Sequence, residues 1–123
     1  MFGLPVPTMP SVDAFYSPGQ VIHVGDLAIS PLRTPGHCPG GVCLAVRAAA
    51  APPHEAELFV GDTLFAGSIG RTDLPGGDLE TLLTSIRTVL FAFPDTAVVH
   101  PGHGPSTTIG RERRTNPFLA GRV

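Results

Sequence analysis

Three side chains that could bind a metal ion lie in short turns rich in glycine and proline. His37 ends a Pro-Gly-His motif, Asp62 directly follows a glycine, and His103 lies between two glycines. Two imidazoles and a carboxylate suit zinc or iron, and glycine lets the backbone and bulky ligands approach each other closely. Each residue alone is more often an ordinary turn residue or a helix cap. The metal hypothesis therefore depends on whether the fold brings the three together.

Short strands precede all three residues and must position them. Asp62 follows an apolar run that predicts a strand over 57–61, buried on both faces. A carboxylate at the end of a buried strand is costly unless it is paired, hydrogen-bonded or bound to a metal. The two histidines follow predicted strands over 27–33 and 96–100. Because open sheets bind ligands beyond the carboxyl ends of their strands, we expect the three side chains at one edge of a sheet.

The first part of the chain predicts short strands joined by tight turns. Gly25-Asp26 is a hairpin signal between a strand over 20–24 and the strand over 27–33. Pro31 within the second of these strands indicates an edge position or a bulge. A further strand is predicted over 42–46.

One amphipathic helix and one parallel crossover are predicted in the second part, which gives an α/β (α+β) fold class. Asp78 is the predicted N-cap of the helix. Seven apolar residues share one face of the helix: Leu79, Leu82, Leu83, Ile86, Val89, Leu90 and Phe93. The order strand, helix, strand over 58–100 predicts a parallel crossover unit packed on a sheet.

Two further segments flank this unit. The glycine-rich segment 66–77 predicts a loop that an Arg71–Asp73 salt bridge closes. A short helix from about Thr108 is expected to end before Asn116-Pro117, because the residue before a proline avoids helical angles.

The other three histidines are assigned no ligand role. His23 is predicted on an exposed strand and His54 in an exposed loop. His100 ends a predicted buried strand and is interpreted as a core histidine whose hydrogen bonds are satisfied.

Composition disfavours several classes of function. The 123 residues suffice for one domain with a sizeable core, since 42% of them are hydrophobic. A formal net charge of -2 gives no indication of binding to nucleic acid or to a membrane surface, and no apolar stretch approaches membrane-spanning length. The two cysteines, Cys38 and Cys43, make no disulfide framework. Because no secretory signal peptide is recognised either, a cytoplasmic location is predicted.

Four motifs occur in an order that resembles a known family. They are Thr34-Pro35-Gly36-His37, Gly61-Asp62-Thr63-Leu64-Phe65, Gly70-Arg71-Thr72-Asp73 and Pro101-Gly102-His103-Gly104-Pro105. Together they resemble the metallo-β-lactamase superfamily, and more narrowly its short glyoxalase II-like (hydroxyacylglutathione hydrolase-like) subgroup. Phe2-Gly3-Leu4-Pro5 and Asn116-Pro117-Phe118-Leu119 are also similar to that subgroup, so the resemblance covers essentially the whole chain.

The resemblance implies a four-layered αββα sandwich with two metal ions in a groove at its edge. It implies that His37 binds the first ion, that Asp62 bridges both ions and that His103 binds the second. Zinc is the implied metal, with iron or manganese as alternatives. The ions would activate a water molecule that attacks a glutathione thioester. The implied partner is thus a small-molecule substrate, with no nucleic acid and no membrane.

The main departure of the sequence from the family is the absence of the H-x-H-x-D-H motif. That motif supplies the remaining ligands, so each ion would keep only two, whereas catalytic zinc normally has three protein ligands. Residues 1–123 are therefore interpreted as a single, N-terminally truncated domain, the C-terminal portion of the sandwich. Strand faces that the missing part would cover are expected to be apolar and to promote self-association through the exposed sheet.

The resemblance implies a metal-dependent thioester hydrolase of the glyoxalase II type. A persulfide dioxygenase-like iron enzyme is the alternative within the family, because the segment 70–73 fits it nearly as well. A β-lactamase is disfavoured, since nothing in the sequence indicates secretion. Because the metal site is incomplete, a non-catalytic remnant or binding module is the alternative from another class.

Overall fold

The computed structural model describes residues 20–37, 41–73 and 75–120. The strands are β1 (Ile22–Val24), β2 (Leu27–Arg33), β3 (Val42–Ala48), β4 (Glu57–Gly61), β5 (Leu64–Phe65), β6 (Ser68–Ile69), β7 (Val98–Pro101) and β8 (Thr107–Thr108). The helices are α1 (Leu79–Thr88) and α2 (Ile109–Thr115), with short 3-10 turns at Pro53–Glu55 and Leu90–Ala92. Within the described residues, six strands form one mixed sheet with the order β1-β2-β3-β4-β7-β8, and β5 and β6 form a separate hairpin.

The antiparallel strands β1, β2 and β3 follow the predicted pattern of turns. The Gly25-Asp26 turn joins β1 to β2. Gly25 has a φ of 58°, a backbone angle that residues with a Cβ rarely adopt. β2 pairs with β3 along its whole length, with Pro31 opposite Leu44. Because β1 pairs with β2 only as far as Ile29, β3 is the single neighbour of β2 at Pro31 within the part of the chain that the structure describes. A proline is tolerated there because its missing N–H interrupts no second ladder.

β4, α1 and β7 form the predicted parallel crossover. Leu58 of β4 lies opposite Val99 of β7 in the parallel pair. Leu82 and Ile86 of α1 belong to the same hydrophobic core as this pair, and all four side chains are fully buried. Burying a side chain of this size contributes about 1.5–3 kcal/mol. The crossover is therefore the centre of the core, and it fixes the ends of β4 and β7.

The prediction that β4 is buried on both faces is wrong. Leu58 and Val60 are fully buried, but Phe59 between them is 43% exposed. The pairing register places Phe59 on the same face of the sheet as Leu44 and Leu27, and Leu27 is exposed as well. The core occupies the opposite face, so this face stays largely uncovered among the described residues. Self-association through it stays a prediction.

Part of the segment predicted as an irregular loop is a hairpin. Leu64 pairs with Ile69 and Phe65 with Ser68, and Gly67 turns the chain between them with a φ of 81°. Strands of two residues give no periodicity in the sequence, which is why composition alone predicted a loop.

The segment after this hairpin has the predicted salt bridge. Arg71 Nε donates to one Asp73 carboxylate oxygen at 2.9 Å, and Arg71 Nη2 donates to the other at 3.2 Å. The salt bridge is solvent-exposed, so it orders the loop locally and contributes little to the stability of the fold.

His100 has satisfied hydrogen bonds, as predicted, but it is not a core residue. Its Nε2 lies 2.7 Å from a carboxylate oxygen of Glu57, and its Nδ1 lies 2.9 Å from the Ser106 hydroxyl. The ring stacks on Phe59 at a centroid distance of 4.7 Å. The side chain is only partly buried because it lies on the uncovered face of the sheet. His23 and His54 are exposed, as predicted.

Both helices begin at the predicted caps, but α1 ends earlier than its apolar face predicted. It ends at Thr88, and a 3-10 turn over Leu90–Ala92 carries the chain on toward Pro94. The Thr108 hydroxyl accepts a hydrogen bond from Arg111 N at 3.2 Å and caps α2, which ends at Thr115 with Asn116 as its C-cap before Pro117. Asp78 caps α1 through a bond from Thr81 N to its carboxylate at 2.8 Å. Among the described residues, no helix is long and apolar enough to cross a membrane.

Replacing Asp78 with alanine is expected to lower the melting temperature at neutral pH, because the Thr81 hydroxyl and the Thr81 N–H both donate to this carboxylate. These bonds lower the pKa of Asp78 from its ordinary value of 3.8. The stabilisation is therefore fully present above that value and is lost as the pH falls through the lowered pKa of the folded state. Thermal melts of both proteins from neutral pH down to about pH 3 should converge only at the acid end.

The matched control is Glu80→Ala, since Glu80 is exposed in the same first turn and does not provide the cap. It should leave the melting temperature nearly unchanged. An Asp78→Ala difference that stays constant across the whole pH range would contradict the assignment of the cap to an ionised carboxylate.

Candidate metal centre

The three predicted ligand residues come together at one end of the crossover. Nε2 of His37 lies 4.0 Å from Oδ2 of Asp62, and Nε2 of His103 lies 3.4 Å from Oδ1 of the same carboxylate. Asp62 therefore lies between the two histidines and faces each of them with a different oxygen. The expectation that the three side chains lie at one edge of the sheet is met.

The turns that carry Asp62 and His103 are joined by their backbones. Gly61 ends β4 in the left-handed region with a φ of 53°, which redirects the chain at Asp62. Gly102 N, at the end of β7, donates to Gly61 O at 2.8 Å. A Cβ on Gly102 would lie 3.2 Å from Oδ1 of Asp62, which is tighter than ordinary contact. Glycine at this position thus lets the two turns approach closely enough for their side chains to meet.

The turn that carries His37 is packed against α1. Gly36 O accepts a hydrogen bond from Asp78 N at 2.7 Å, and the Ser85 hydroxyl donates to Pro35 O at 2.7 Å. Gly36 has a φ of 132°, and a Cβ at this position would overlap the backbone of Leu82. The loop therefore lies directly on the helix, with no space for a side chain at Gly36.

A backbone carbonyl determines which nitrogen of His37 is available. Nδ1 of His37 lies 2.9 Å from Arg71 O. Because a carbonyl oxygen only accepts, Nδ1 carries the hydrogen and Nε2 of the neutral ring keeps its lone pair. That lone pair is on the nitrogen nearest Asp62. Histidines that bind metals are commonly oriented by such a bond from their other nitrogen.

An aromatic ring positions His103. The ring of Phe65 stacks on the imidazole with a centroid distance of 5.0 Å and an interplanar angle of 27°. The His103 side chain is 77% exposed, so its position depends on the Phe65 ring and the Asp62 carboxylate that contact it. Phe65 belongs to β5, the strand that follows Asp62 in the chain.

The β5–β6 hairpin and the residues after it touch all three candidate ligands. Phe65 contacts His103, and Arg71 O accepts from His37. Gly70 lies against the backbone of Asp62. A Cβ on Gly70 would overlap Asp62 O and would lie 3.4 Å from Nδ1 of His37. None of these contacts was predicted from the sequence.

Two buried polar residues, Glu112 and Asn116, hold this hairpin, and sequence reasoning missed their role. Glu112 lies in the charged run 111–114, which is typical of an exposed helix. The spacing of these residues could have revealed their burial. Positions 109, 112 and 116 share one helical face, and Ile109 on that face is fully buried.

The donor types fit a zinc or iron centre, but the number of ligands does not complete one. Two ligands of a tetrahedral zinc ion are about 3.4 Å apart when each bond is about 2.0–2.1 Å long. The His103–Asp62 distance of 3.4 Å matches this value, and the His37–Asp62 distance of 4.0 Å is wider. Among the described residues, no three His, Cys, Asp or Glu side chains converge on one point. The geometry therefore gives two adjacent half-sites that share Asp62.

Cys43 lies beneath the site and adds no ligand. Its thiol is buried and lies 3.1 Å from the Thr34 hydroxyl. Burial raises the pKa of the Cys43 thiol, although hydrogen bonds with Thr34 and Thr63 oppose the shift. The thiol is thus not activated as a metal-binding thiolate. Cys38, next to His37, lies outside the described residues.

Comparisons with known proteins find a matching family model and similar hydrolases. The family model described as the metallo-beta-lactamase superfamily matches residues 2–103. The hydroxyacylglutathione hydrolase GloC of Haemophilus influenzae is 42% identical over an alignment of 118 residues that covers 90% of this chain and 52% of that protein. The chain spans about half the length of the curated relatives it matches.

Two solved structures have a closely similar fold. The BLEG-1 B3 metallo-beta-lactamase aligns with a TM-score of 0.77 and 42% identity over 98% of this chain and 55% of its own. TTHA1623 in a di-iron-bound form aligns with a TM-score of 0.70 and 42% identity over 94% of this chain and 50% of its own. This chain therefore resembles about half of each structure.

Proposed function

Because the chain belongs to the metallo-beta-lactamase superfamily, we propose that it forms part of a metal-dependent hydrolase centre with His37, Asp62 and His103 as ligands. The reaction we propose is hydrolysis of a thioester, as in glyoxalase II. The observation that carries the proposal is the position of Asp62, which faces one histidine with each carboxylate oxygen. A shared carboxylate of this kind suits a centre with two cations.

Family membership confirms the predicted resemblance and the predicted α+β fold class, with a mixed sheet and few helices that match part of the metallo-β-lactamase fold. The thioester substrate is supported by the name of the similar hydroxyacylglutathione hydrolase. The di-iron structure supports iron beside zinc as a metal for this centre.

The residues of this chain would perform three tasks at such a centre. His37 presents the lone pair of Nε2, because Arg71 O holds the hydrogen on Nδ1. His103 presents Nε2 toward the other oxygen of Asp62. The negative charge of the Asp62 carboxylate would offset the repulsion between two neighbouring cations if both were bound there. A divalent metal bound there lowers the pKa of a water molecule and polarises a carbonyl group.

The number of ligands favours a second candidate function. Two protein ligands for each ion are fewer than the three of a typical catalytic zinc, so this chain by itself fits a non-catalytic metal-binding module. The iron-dependent dioxygenase stays an alternative prediction, which oxygen consumption in the presence of iron would reveal.

Metal-dependent hydrolysis by the 123-residue chain tests the proposal. The purified protein is stripped with a chelator, reloaded with Zn²⁺ or Fe²⁺, and mixed with a hydroxyacyl glutathione thioester whose absorbance is followed. The expected result is a metal-dependent rate that falls below detection in His37→Ala and Asp62→Ala, because each change removes a ligand. His23→Ala is the matched control, since His23 is an exposed histidine on the distant strand β1.

Each outcome of this experiment separates the candidates. Hydrolysis at the same rate in His37→Ala, Asp62→Ala and the unchanged protein would reject the proposed site. Metal binding without any hydrolysis would favour the non-catalytic module. Circular dichroism of each variant shows that the fold is retained before the rates are compared.

A further inference from the structure

Glu112 is a buried carboxylate with an unusual position. It is 0% exposed, although its neighbours Arg111 and Arg113 on α2 are exposed. Among the described residues, none of the ion pairs includes Glu112. A buried charge is costly unless hydrogen bonds satisfy it. The partners of Glu112 therefore indicate why the fold retains it.

Three donors converge on the Glu112 carboxylate. Oε1 accepts from Gly67 N at 3.0 Å and from Asn116 Nδ2 at 2.8 Å, and Oε2 accepts from the Thr107 hydroxyl at 2.6 Å. Gly67 is the turn of the β5–β6 hairpin. Glu112 thus connects α2 and β8 to the tip of that hairpin.

Asn116 makes a second connection to the same turn. It is fully buried, and its Nδ2 donates to Ser68 O at 3.0 Å as well as to Glu112. Its Oδ1 accepts from Phe118 N at 2.9 Å, which orients the amide. Two side chains near the C-terminal end of α2 therefore fix adjacent residues of the hairpin. Glu112 binds Gly67, and Asn116 binds Ser68.

The hairpin needs such a connection to keep its position. Its strands have two residues each, and an isolated hairpin is marginally stable even when it is longer. Ser68 pairs directly with Phe65, the residue whose ring stacks on His103. A shift of the turn would therefore move the Phe65 ring and release the exposed imidazole from its place beside Asp62.

We propose that Glu112 and Asn116 are positioning residues of the candidate metal centre. They fix the β5–β6 hairpin, and the hairpin holds His103 beside Asp62 through Phe65. The part of this inference that concerns metal affinity rests on the proposed function, whereas the part that concerns the position of His103 does not. This role also accounts for Asn116 in the motif 116–119, which the proposed function leaves unexplained.

The position of His103 is measured first, without metal. In the NMR spectrum, the ring current of Phe65 shifts the Hε1 signal of His103, and Phe65→Ala defines the signal of the released ring. Glu112→Ala and Asn116→Ala are expected to move the His103 signal most of the way toward that value. Glu112→Gln should keep it near its original position, because the amide oxygen accepts from Gly67 and Asn116 while the amide nitrogen donates to Thr107.

Two controls separate positioning from general stability. Leu90→Ala removes a fully buried core side chain, so it should lower the melting temperature while the His103 signal stays in place. Phe59→Ala removes the ring of the other Phe–His stack, with His100, and should likewise leave the His103 signal unchanged. If Glu112→Ala does not fold, Thr107→Val gives a milder test, since it removes one donor without changing the size of the side chain.

Zinc affinity, measured by calorimetry on the same variants, is the second readout. Glu112→Ala and Asn116→Ala should weaken binding about 10-fold or more, as is typical when residues that orient metal ligands are lost. The Glu112→Gln, Leu90→Ala and Phe59→Ala variants should bind as the unchanged protein does.

The His103 signal tests the positioning role, and zinc binding tests the proposed function. An unchanged His103 signal in folded Glu112→Ala, or in Thr107→Val together with Asn116→Ala, would overturn the proposal and leave these residues with a structural role only. Absence of zinc binding in the unchanged protein would refute the proposed function, and the metal-free His103 signal would still decide whether Glu112 positions His103.

Discussion

Asp62→Ala is expected to abolish zinc binding at both halves of the centre, whereas removal of either histidine should affect only one half. The reason is geometric, because Oδ2 faces His37 and Oδ1 faces His103. Each ion would then keep only one imidazole as a ligand. Loss of a residue that merely orients a ligand typically weakens metal binding 10–100-fold, so loss of a shared ligand should lower the zinc affinity by at least about 100-fold. Calorimetry gives both the affinity and the number of ions bound.

Asp73→Ala is the control for the loss of an acidic side chain near the centre. Asp73 is an exposed carboxylate that pairs with Arg71 and faces neither histidine. It should lower the zinc affinity far less than Asp62→Ala does, because it removes no ligand. Retention of one zinc ion in Asp62→Ala would contradict a shared ligand and would indicate that one histidine binds metal with other partners.

Gly36→Ala is expected to destabilise the protein by about 3 kcal/mol or more, because it combines overpacking with backbone strain. The added Cβ would overlap the backbone of Leu82, which cannot move without shifting α1. The φ of 132° is also unfavourable for any residue with a Cβ. For a domain of this size the melting temperature should fall by roughly 10 °C or more.

Gly25→Ala is the matched control for this substitution. Gly25 also has a positive φ, but a Cβ there would meet no atom within 4 Å. Only the backbone strain remains, which costs about 1–2 kcal/mol. Equal losses in the two variants, measured by urea denaturation, would show that the contact between the His37 loop and α1 is not tightly packed.

The elements that the sequence predicted well depend on local chemistry. Gly25-Asp26 and Asp78 act within a few residues of themselves, so the hairpin and the start of α1 follow directly from residue types. The crossover was predictable because the helical face and the flanking apolar runs have clear periods. The proximity of His37, Asp62 and His103 was expected because all three follow strand ends.

The features that were missed depend on contacts between distant segments. A strand with three apolar residues in a row does not reveal that the described residues leave one of its faces uncovered, so the exposure of Phe59 was not predicted. Glu112 lies in a charged run and becomes buried only because the β5–β6 hairpin packs on it. The carbonyl that orients His37 belongs to Arg71, 34 residues along the chain, and no local sequence pattern predicts that hydrogen bond.

The crossover also determines when the centre can form as the chain folds. Leu58 and Val99 are directly paired, and closing a loop of about 40 residues costs conformational entropy that a two-residue turn avoids. Hairpins such as β1–β2 form within microseconds, whereas parallel long-range pairing is intrinsically slow. Asp62 and His103 therefore become neighbours only after the crossover has closed. A metal ion held by this pair would stabilise the folded chain, because it would bind the closed crossover more tightly than the unfolded chain.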